Sequence, residues 1–492
     1  MTMEKRREFN KPLFMCFIDI TKAYDSVNRE LLWKVCLSYG ITPKLVNLFK
    51  MLYENLIAKV KINGELSESF EMNTGVMQGG IPSPLLFNIL FDFIIRKVID
   101  EAAVSGVKFC YGSNDFFHGR NEKHDDFHIL ALLYADDLVI TCESISDLEK
   151  CIGCFERVTQ QYGLIMNIKK TCVMSLKQLK EDQHRKVLIG QNINYDDDIN
   201  ISIRNQKIES VDSFTYLGCT ITKDQRHDTE ISIRLIKAAK AFNMLRHIIW
   251  HRKTVSITAR LRIFRACVLP VLLYGSETWC LTMRQEQRIN TFYNKCLRTI
   301  IRINIADKMP NDVLLNITGQ PPIEHIIRRN RLRWFGHVIR ADNPDGTPSL
   351  MKKSMFSYFH NEKRPGNMGR FNRWEDKVLK DLNQLQIYNW RRLAHDRQKW
   401  REIINRNVYT KPVTANIKDI IFHYKQKAVK RKQKNLAAIN GVVNYKVTEV
   451  LIKTNNRYTC PGCKLTYKPQ GITNHVKSCG NAGTWRIQNR IK

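Results

Sequence analysis

The chain is predicted to be an α+β protein, with hairpins and amphipathic helices in its first part, a basic helical stretch beyond, and a small finger at its end. Three observations carry this prediction. In the stretch 128–142, HILALLYADDLVITC, two apolar β-prone runs (129–133 and 138–141) flank a polar turn, the signature of a buried hairpin. The apolar run 13–18 meets Asp19 and then a helical pattern, so Asp19 falls at the C-terminal end of a strand. Cys460-x2-Cys463-x11-His475-x3-Cys479 has the spacing of four N/S ligands around a tetrahedral metal.

The 492 residues allow two to four domains, and a hydrophobic fraction of 43% excludes a disordered chain. No apolar run approaches the roughly 20 residues that span a bilayer, so no membrane partner is expected and the location is nuclear or cytoplasmic. The basic start followed by residues 12–18 imitates a secretory signal but lacks a cleavage site and runs straight into Asp19. Lys and Arg number 79 against 47 Asp and Glu, a net charge of +32 that favours a polyanion partner and salt-sensitive binding. The 14 cysteines, among them Cys16, Cys36, Cys110 and Cys267, lie mostly in apolar surroundings and suit buried free thiols.

In chain order, residues 1–12 are basic without a clear pattern. Residues 28–40 form a helix capped by Asn28 and stopped by Gly40, and Thr42-Pro43 opens another with Leu45, Leu48, Phe49 and Leu52 on one stripe. Asn63-Gly64 is a two-residue hairpin turn. In 75–87, GVMQGGIPSPLLF, a glycine-rich loop ends at Ser83-Pro84, an N-cap and first helical position, and helix 84–99 is apolar nearly all round. Residues 100–127 read as a loop. Residues 145–162 form an amphipathic helix whose Cys151-x-x-Cys154 is a packing pair rather than a metal site, and 183–213 is a polar excursion with short strands.

Carboxylates placed like Asp19, Asp136 and Asp137 repel one another and lose hydration, and the usual remedy is a divalent cation held by hard oxygens. The three segments, in this order, resemble the reverse transcriptases of LINE-type (non-LTR) retrotransposons. The resemblance implies a right-hand polymerase palm, an antiparallel sheet backed by helices, with Asp19, Asp136 and Asp137 as the catalytic residues. It further implies two Mg²⁺ ions (or Mn²⁺), dNTP substrates, an RNA template and a DNA primer or target. Tyr24 matches the steric gate against a 2′-hydroxyl, Gln78 and Gly79 the pair that contacts nucleotide and template, and Ser83-Pro84 the end of that motif. The stretch 163–171, GLIMNIKKT, supplies Lys170 as a proton donor to pyrophosphate. Phe214, Tyr216, Leu217 and Gly218 match the primer grip. Only 18 residues precede Asp19, so the expectation is a 5′-truncated element without an endonuclease domain and most of the fingers.

Beyond residue 223 the pattern is helical and basic, with Arg234, Lys237 and Lys240 spaced by three. The resemblance makes this a thumb that contacts phosphates. Residues 268–279 (VLPVLLYGSETW) and 331–340 (RLRWFGHVIR) recur in the family without a known chemistry, and His337 reads as structural. Residues 341–372 are a linker, 373–404 are helical with Trp374, Trp390 and Trp400, and 425–434 hold six basic residues in ten. The domains expected are palm with partial fingers (1–222), thumb region (223–345), basic helical linker (346–454) and CCHC-type zinc finger (455–492), whose Zn²⁺ would supply much of its folding energy. The resulting function is RNA-directed DNA polymerisation. The competing readings are a remnant that binds RNA or DNA without polymerising, and a zinc-dependent DNA-binding module beside a vestigial palm.

Overall fold

A computed structural model describes residues 1–112, 124–176, 199–360, 362, 373–406, 417–439, 446–489 and 491. Two compact units result: Met1–Asn243 with Ala266–Asn290 and Ile323–Val408, and Met244–Arg265 with Thr291–Pro322 and Tyr409–Lys492.

The first unit contains, in chain order, α1 (Thr2–Glu8), β1 (Leu13–Ile18), α2 (Arg29–Ser38), α3 (Pro43–Tyr53), α4 (Ser83–Ala102), β2 (Val107–Tyr111), β3 (Asp125–Ile129), β4 (Ala131–Tyr134), β5 (Asp137–Cys142), α5 (Ile145–Gln161), β6 (Cys172–Leu176) and β7 (Glu209–Ser210). Five strands form one sheet in the order β7-β6-β1-β5-β4, antiparallel except for the β6–β7 edge pair. β1 is central and every one of its residues is buried. Its alternating side chains enter two different cores, which explains why it reads as a continuous apolar run rather than an alternating one. Phe14, Cys16 and Ile18 face α4 and α5, with Leu90, Phe91, Ile152 and Phe155. Leu13, Met15 and Phe17 face residues from far along the chain, including Leu332, Phe335, Trp374 and Trp400. The cap predicted at Asn28 is present, its side chain accepting from the Leu31 amide, and the structure adds a second at Ser144, which accepts from the Asp147 amide.

The second covering layer is α7 (Ile323–Ile339), α8 (Trp374–Gln384), α9 (Trp390–His395) and α10 (Arg397–Asn405), following α6 (Asp228–Met244) in the chain. This gives the RWFGH segment a structural role. Gly336 lies against Trp400, whose indole N–H donates to the Leu332 carbonyl at 2.9 Å. A Cβ on Gly336 would stand 2.2 Å from that indole nitrogen. Gly336→Ala is therefore expected to destabilise the unit by about 1–3 kcal/mol through overpacking, outweighing the ~1 kcal/mol that alanine gains in a helix. A thermal melt checks this, and an unchanged or raised midpoint contradicts it. Arg331, also buried, pairs with Asp381 and donates to the Trp279 carbonyl at 3.1 Å.

Several local expectations are corrected. Residues 1–12 hold α1, whose Lys5 is buried in a 2.6 Å ion pair with Glu375, a partner that no local pattern could reveal. Residues 100–127 are the end of α4 and a hairpin, β2 with β3, not a loop, although 113–123 lie outside the described residues. Most of the stripe on α3 faces outward: Leu45, Leu48 and Leu52 are 42–51% exposed, while Phe49 is half-buried against the core and Val46 and Tyr53 are buried. Pro82 caps α4, so Ser83 and Pro84 occupy its first turn, and Ser83 Oγ lies 2.9 Å from Tyr53 Oη. The linker 341–372 includes a helix, Leu350–Met355, and Cys267 is exposed. Of the polar excursion, 177–198 lie outside the described residues, and the rest has the short strands expected, Ser202–Ile203 paired with Gln206–Lys207. The Asn63-Gly64 turn joins Lys61–Ile62 to Glu65–Leu66 as predicted.

In the second unit the basic stretch 425–434 belongs to the helix Ile417–Ile439, and the helix Pro469–Ser478 packs on a three-stranded sheet of Lys453–Thr454, Arg457–Thr459 and Thr466–Tyr467. Among the described residues no helix is long and apolar enough to cross a membrane.

Candidate active site

Strand register brings the acidic residues together. Ile18 of β1 lies opposite Leu138 of β5, so Asp19 and Asp137, one residue further on each strand, share one end of the sheet. Tyr134 pairs with Asp137, which leaves Ala135 and Asp136 as a two-residue turn. Ala135 has φ +56°, a left-handed conformation that costs a non-glycine residue about 1–2 kcal/mol and here projects Asp136 beyond the strands.

The stretch 163–171 is joined to the same strand end. Asn167 donates its amide to the Asp19 carbonyl at 2.8 Å, Thr21 to that of Ile165 at 2.9 Å, and Asp19 to Thr171 Oγ1 at 3.3 Å. Lys170 Nζ is thereby held 3.7 Å from Asp19 Oδ2. Partial burial, then the charges of Asp136 and Asp19, raise the Asp137 carboxyl above its ordinary value. The oxygens of the three aspartates do not all approach within 4.8 Å of one another. The donor set still fits a divalent ion: three hard carboxylates share a partly solvated edge, and their mutual repulsion is what such a charge would relieve.

The glycine-rich loop is bound to the segment after β1. Gly75 has φ +84°, and a Cβ there would come within 2.8 Å of the Asp25 backbone. Its amide donates to the Val27 carbonyl at 2.9 Å, the Val76 amide donates to that of Tyr24 at 2.8 Å, and Gln78 Nε2 donates to Asp25 Oδ1 at 3.1 Å. Arg29 fastens the loop by donating to the carbonyls of Gly75, Thr74 and Tyr53 at 2.8–3.1 Å. Tyr24 stacks on Phe87 of α4 with ring centroids 4.6 Å apart. Burial, then the charge of Asp136, raises its phenol. Gly79, at φ +87°, has open space around it.

A further hairpin, β8 (Ser213–Tyr216) with β9 (Cys219–Thr222), turns at Leu217 and Gly218, both left-handed. Phe214 stacks on Phe17 of β1 at 4.3 Å, and the Tyr216 phenol is raised by burial and by Asp137. Sequence reasoning missed what holds this turn. Tyr274 Oη donates to the Leu217 carbonyl at 2.9 Å, and Arg234 donates to that of Gly218, pairs with buried Glu230 and lies 4.6 Å over the Tyr274 ring. Arg234 is thus not part of a solvated face with Lys237 and Lys240. Its available signal was a Glu four residues upstream. His337 is exposed beside Trp334, and Cys151 is packed in the core.

In the second unit the ligating atoms of Cys460, Cys463, His475 and Cys479 all lie within 4.8 Å of one another. Cys463 Sγ and His475 Nε2 are 3.1 Å apart, and the His475 ring stacks on Tyr467 at 4.0 Å. A Cβ on Gly462 would meet the Asn481–Ala482 backbone at 2.5 Å, so glycine is required where the CxxC turn is covered. The four-ligand set suits tetrahedral Zn²⁺.

Residues 3–221 match the family described as reverse transcriptase (RNA-dependent DNA polymerase). An uncharacterised transposon-derived protein of Caenorhabditis elegans is 26% identical over 294 residues, 56% of this chain and 95% of that one. The Pol polyprotein of the type-2 retrotransposable element R2DM of Drosophila melanogaster is 22% identical over 392 residues, 77% of this chain but 32% of its own length. A solved telomerase from Candida tropicalis, in complex with a fragment of telomeric RNA, aligns at 14% identity over 61% of this chain and 44% of its own, with a TM-score of 0.31.

Proposed function

We propose that this chain, whose residues 3–221 match the reverse transcriptase family, is a polymerase of the non-LTR retrotransposon type that catalyses template-directed addition of deoxynucleotides to a primer 3′-hydroxyl on an RNA template. The observation that carries the reading is the convergence of Asp19, Asp136 and Asp137 at one sheet end beside Lys170, Tyr24 and the 75–80 loop. Asp19 and Asp136 would hold the metals, with Asp137 assisting. Two divalent ions, when bound, supply a more acidic attacking hydroxyl and neutralisation of charge on the leaving oxygen. Everything else is positioning. Lys170 would give a proton to pyrophosphate, and Gln78 and Gly79 would border the nucleotide. The 214–218 hairpin, held by Tyr274 and Arg234, would hold the primer end.

The functional division we infer is palm and finger elements over 1–222, a thumb region over 223–345, a basic helical region over 346–454 and a zinc finger over 455–492. The finger and the basic surface would hold nucleic acid through phosphates, with affinity falling steeply with salt. Tyr24 would act as the gate against a ribose 2′-hydroxyl. Tyr24→Ala should raise use of NTPs relative to dNTPs by about tenfold or more, equivalent to ~1.4 kcal/mol of lost discrimination. Tyr24→Phe should keep the wild-type ratio. Single-nucleotide incorporation kinetics test this reading, and equal ratios in all three proteins would contradict it.

A further inference from the structure

A second convergence of ligating side chains lies away from the carboxylates, on the β2–β3 hairpin. Cys110 of β2 is paired opposite Asp126 of β3, and its Sγ lies 3.2 Å from Asp126 Oδ1. His124, just before β3, places Nε2 3.7 Å from the same oxygen. The three ligating atoms lie within 4.8 Å of one another. Bond lengths of about 2.3 Å to sulfur and about 2.0–2.2 Å to nitrogen and oxygen, at tetrahedral angles, separate zinc ligands by about 3.3–3.7 Å. The two contacts at Asp126 Oδ1 are close to that spacing.

The surroundings are built rather than accidental. Cys110 is buried and held by two main-chain hydrogen bonds with Tyr358, at 2.9 and 3.0 Å. The His360 amide points at Cys110 Sγ, and the His360 ring stacks on His124 at 4.0 Å. Lys108 Nζ takes Asp126 Oδ2 at 2.5 Å, which leaves Oδ1 for the site. Among the described residues the buried His124 Nδ1 has no hydrogen-bond partner. Such an orphan costs about 1–3 kcal/mol unless the ring is held for another reason. One thiol, one imidazole and one carboxylate make a borderline-soft set that selects Zn²⁺ over Mg²⁺.

We propose that Cys110, His124 and Asp126 bind one Zn²⁺ ion that staples the β2–β3 hairpin, separate from both the carboxylate cluster and the C-terminal finger. The thiol proton of Cys110 is released to solvent on binding, and the fourth position is left to water.

The test is the zinc content of the full chain after gel filtration, with the finger ligands Cys460, Cys463 and Cys479 all replaced by Ser. This protein should retain one equivalent of Zn²⁺ and lose it on further change of Cys110→Ser or His124→Ala. Co²⁺ substitution gives a second readout: the same triple-Ser protein should show a thiolate-to-Co²⁺ charge-transfer band that Asp126→Asn, a near-isosteric change, weakens or shifts. A triple-Ser protein without zinc and without the band overturns the proposal. So does zinc that survives both Cys110→Ser and His124→Ala.

Discussion

Asp136→Asn is expected to lower Mg²⁺-dependent extension by about 10³-fold, ~4 kcal/mol in the barrier, and to remove the thermal stabilisation that added Mg²⁺ gives the wild type. Asn keeps the size of the side chain at the turn beyond β4 and β5 and removes only the charge. The neighbouring Asp137 gives the effect a pH signature, because partial burial and then the charges of Asp136 and Asp19 raise its carboxyl. A proton held more tightly in the folded than in the unfolded chain stabilises the metal-free fold fully below the ordinary carboxylate value, and that stabilisation is lost as pH rises through the raised one. Metal binding requires the opposite, deprotonated state. The acid limb of extension should therefore lie above the ordinary Asp range, and Asp136→Asn should move the Asp137 titration down. Melts with and without Mg²⁺ across pH check both signs. A variant that kept its Mg²⁺-dependent shift would contradict the placement of the metals.

Cys463→Ala is expected to unfold the finger. The core around Cys460 consists of Val447, Ile472, Val476, Ala482 and the cysteine itself, too few buried side chains to order the segment unaided. Structural zinc contributes about 10–16 kcal/mol of apparent binding free energy in fingers of this size, so removal of one ligand should outweigh all the rest. Hydrogen exchange on the full chain reads this directly. The amides of Lys464 and Cys479, bonded to the Cys460 and His475 carbonyls at 3.0 and 2.8 Å, should lose protection while β1 keeps its own. A finger that stays protected in the variant would show that its fold does not depend on the metal.

What could be read from the sequence was local. The β4–β5 hairpin, the strand leading to Asp19, the cap at Asn28 and the Cys/His spacing all depend on neighbours a few residues apart. What could not be read was set by distant partners. Lys5 is basic like the residues around it, and only Glu375 makes it a buried ion pair. Arg234 fits a solvated helical face until Gly218, Glu230 and Tyr274 surround it. The continuous apolar pattern of β1 showed that both faces of the sheet were covered. It did not show that α7, α8 and α10, hundreds of residues later, cover one of them. The outward stripe of α3 shows the same limit: periodicity identifies an apolar face but not whether this chain covers it.

The central claim is tested most directly by extending a DNA primer on an RNA template with purified chain, Mg²⁺ and dNTPs, wild type beside Asp136→Asn, with filter binding of the same template in parallel. The structure predicts extension by the wild type, its loss in the variant, and equal template binding by both. Binding without extension in both proteins alike would contradict it and leave a nucleic-acid-binding protein with an idle palm.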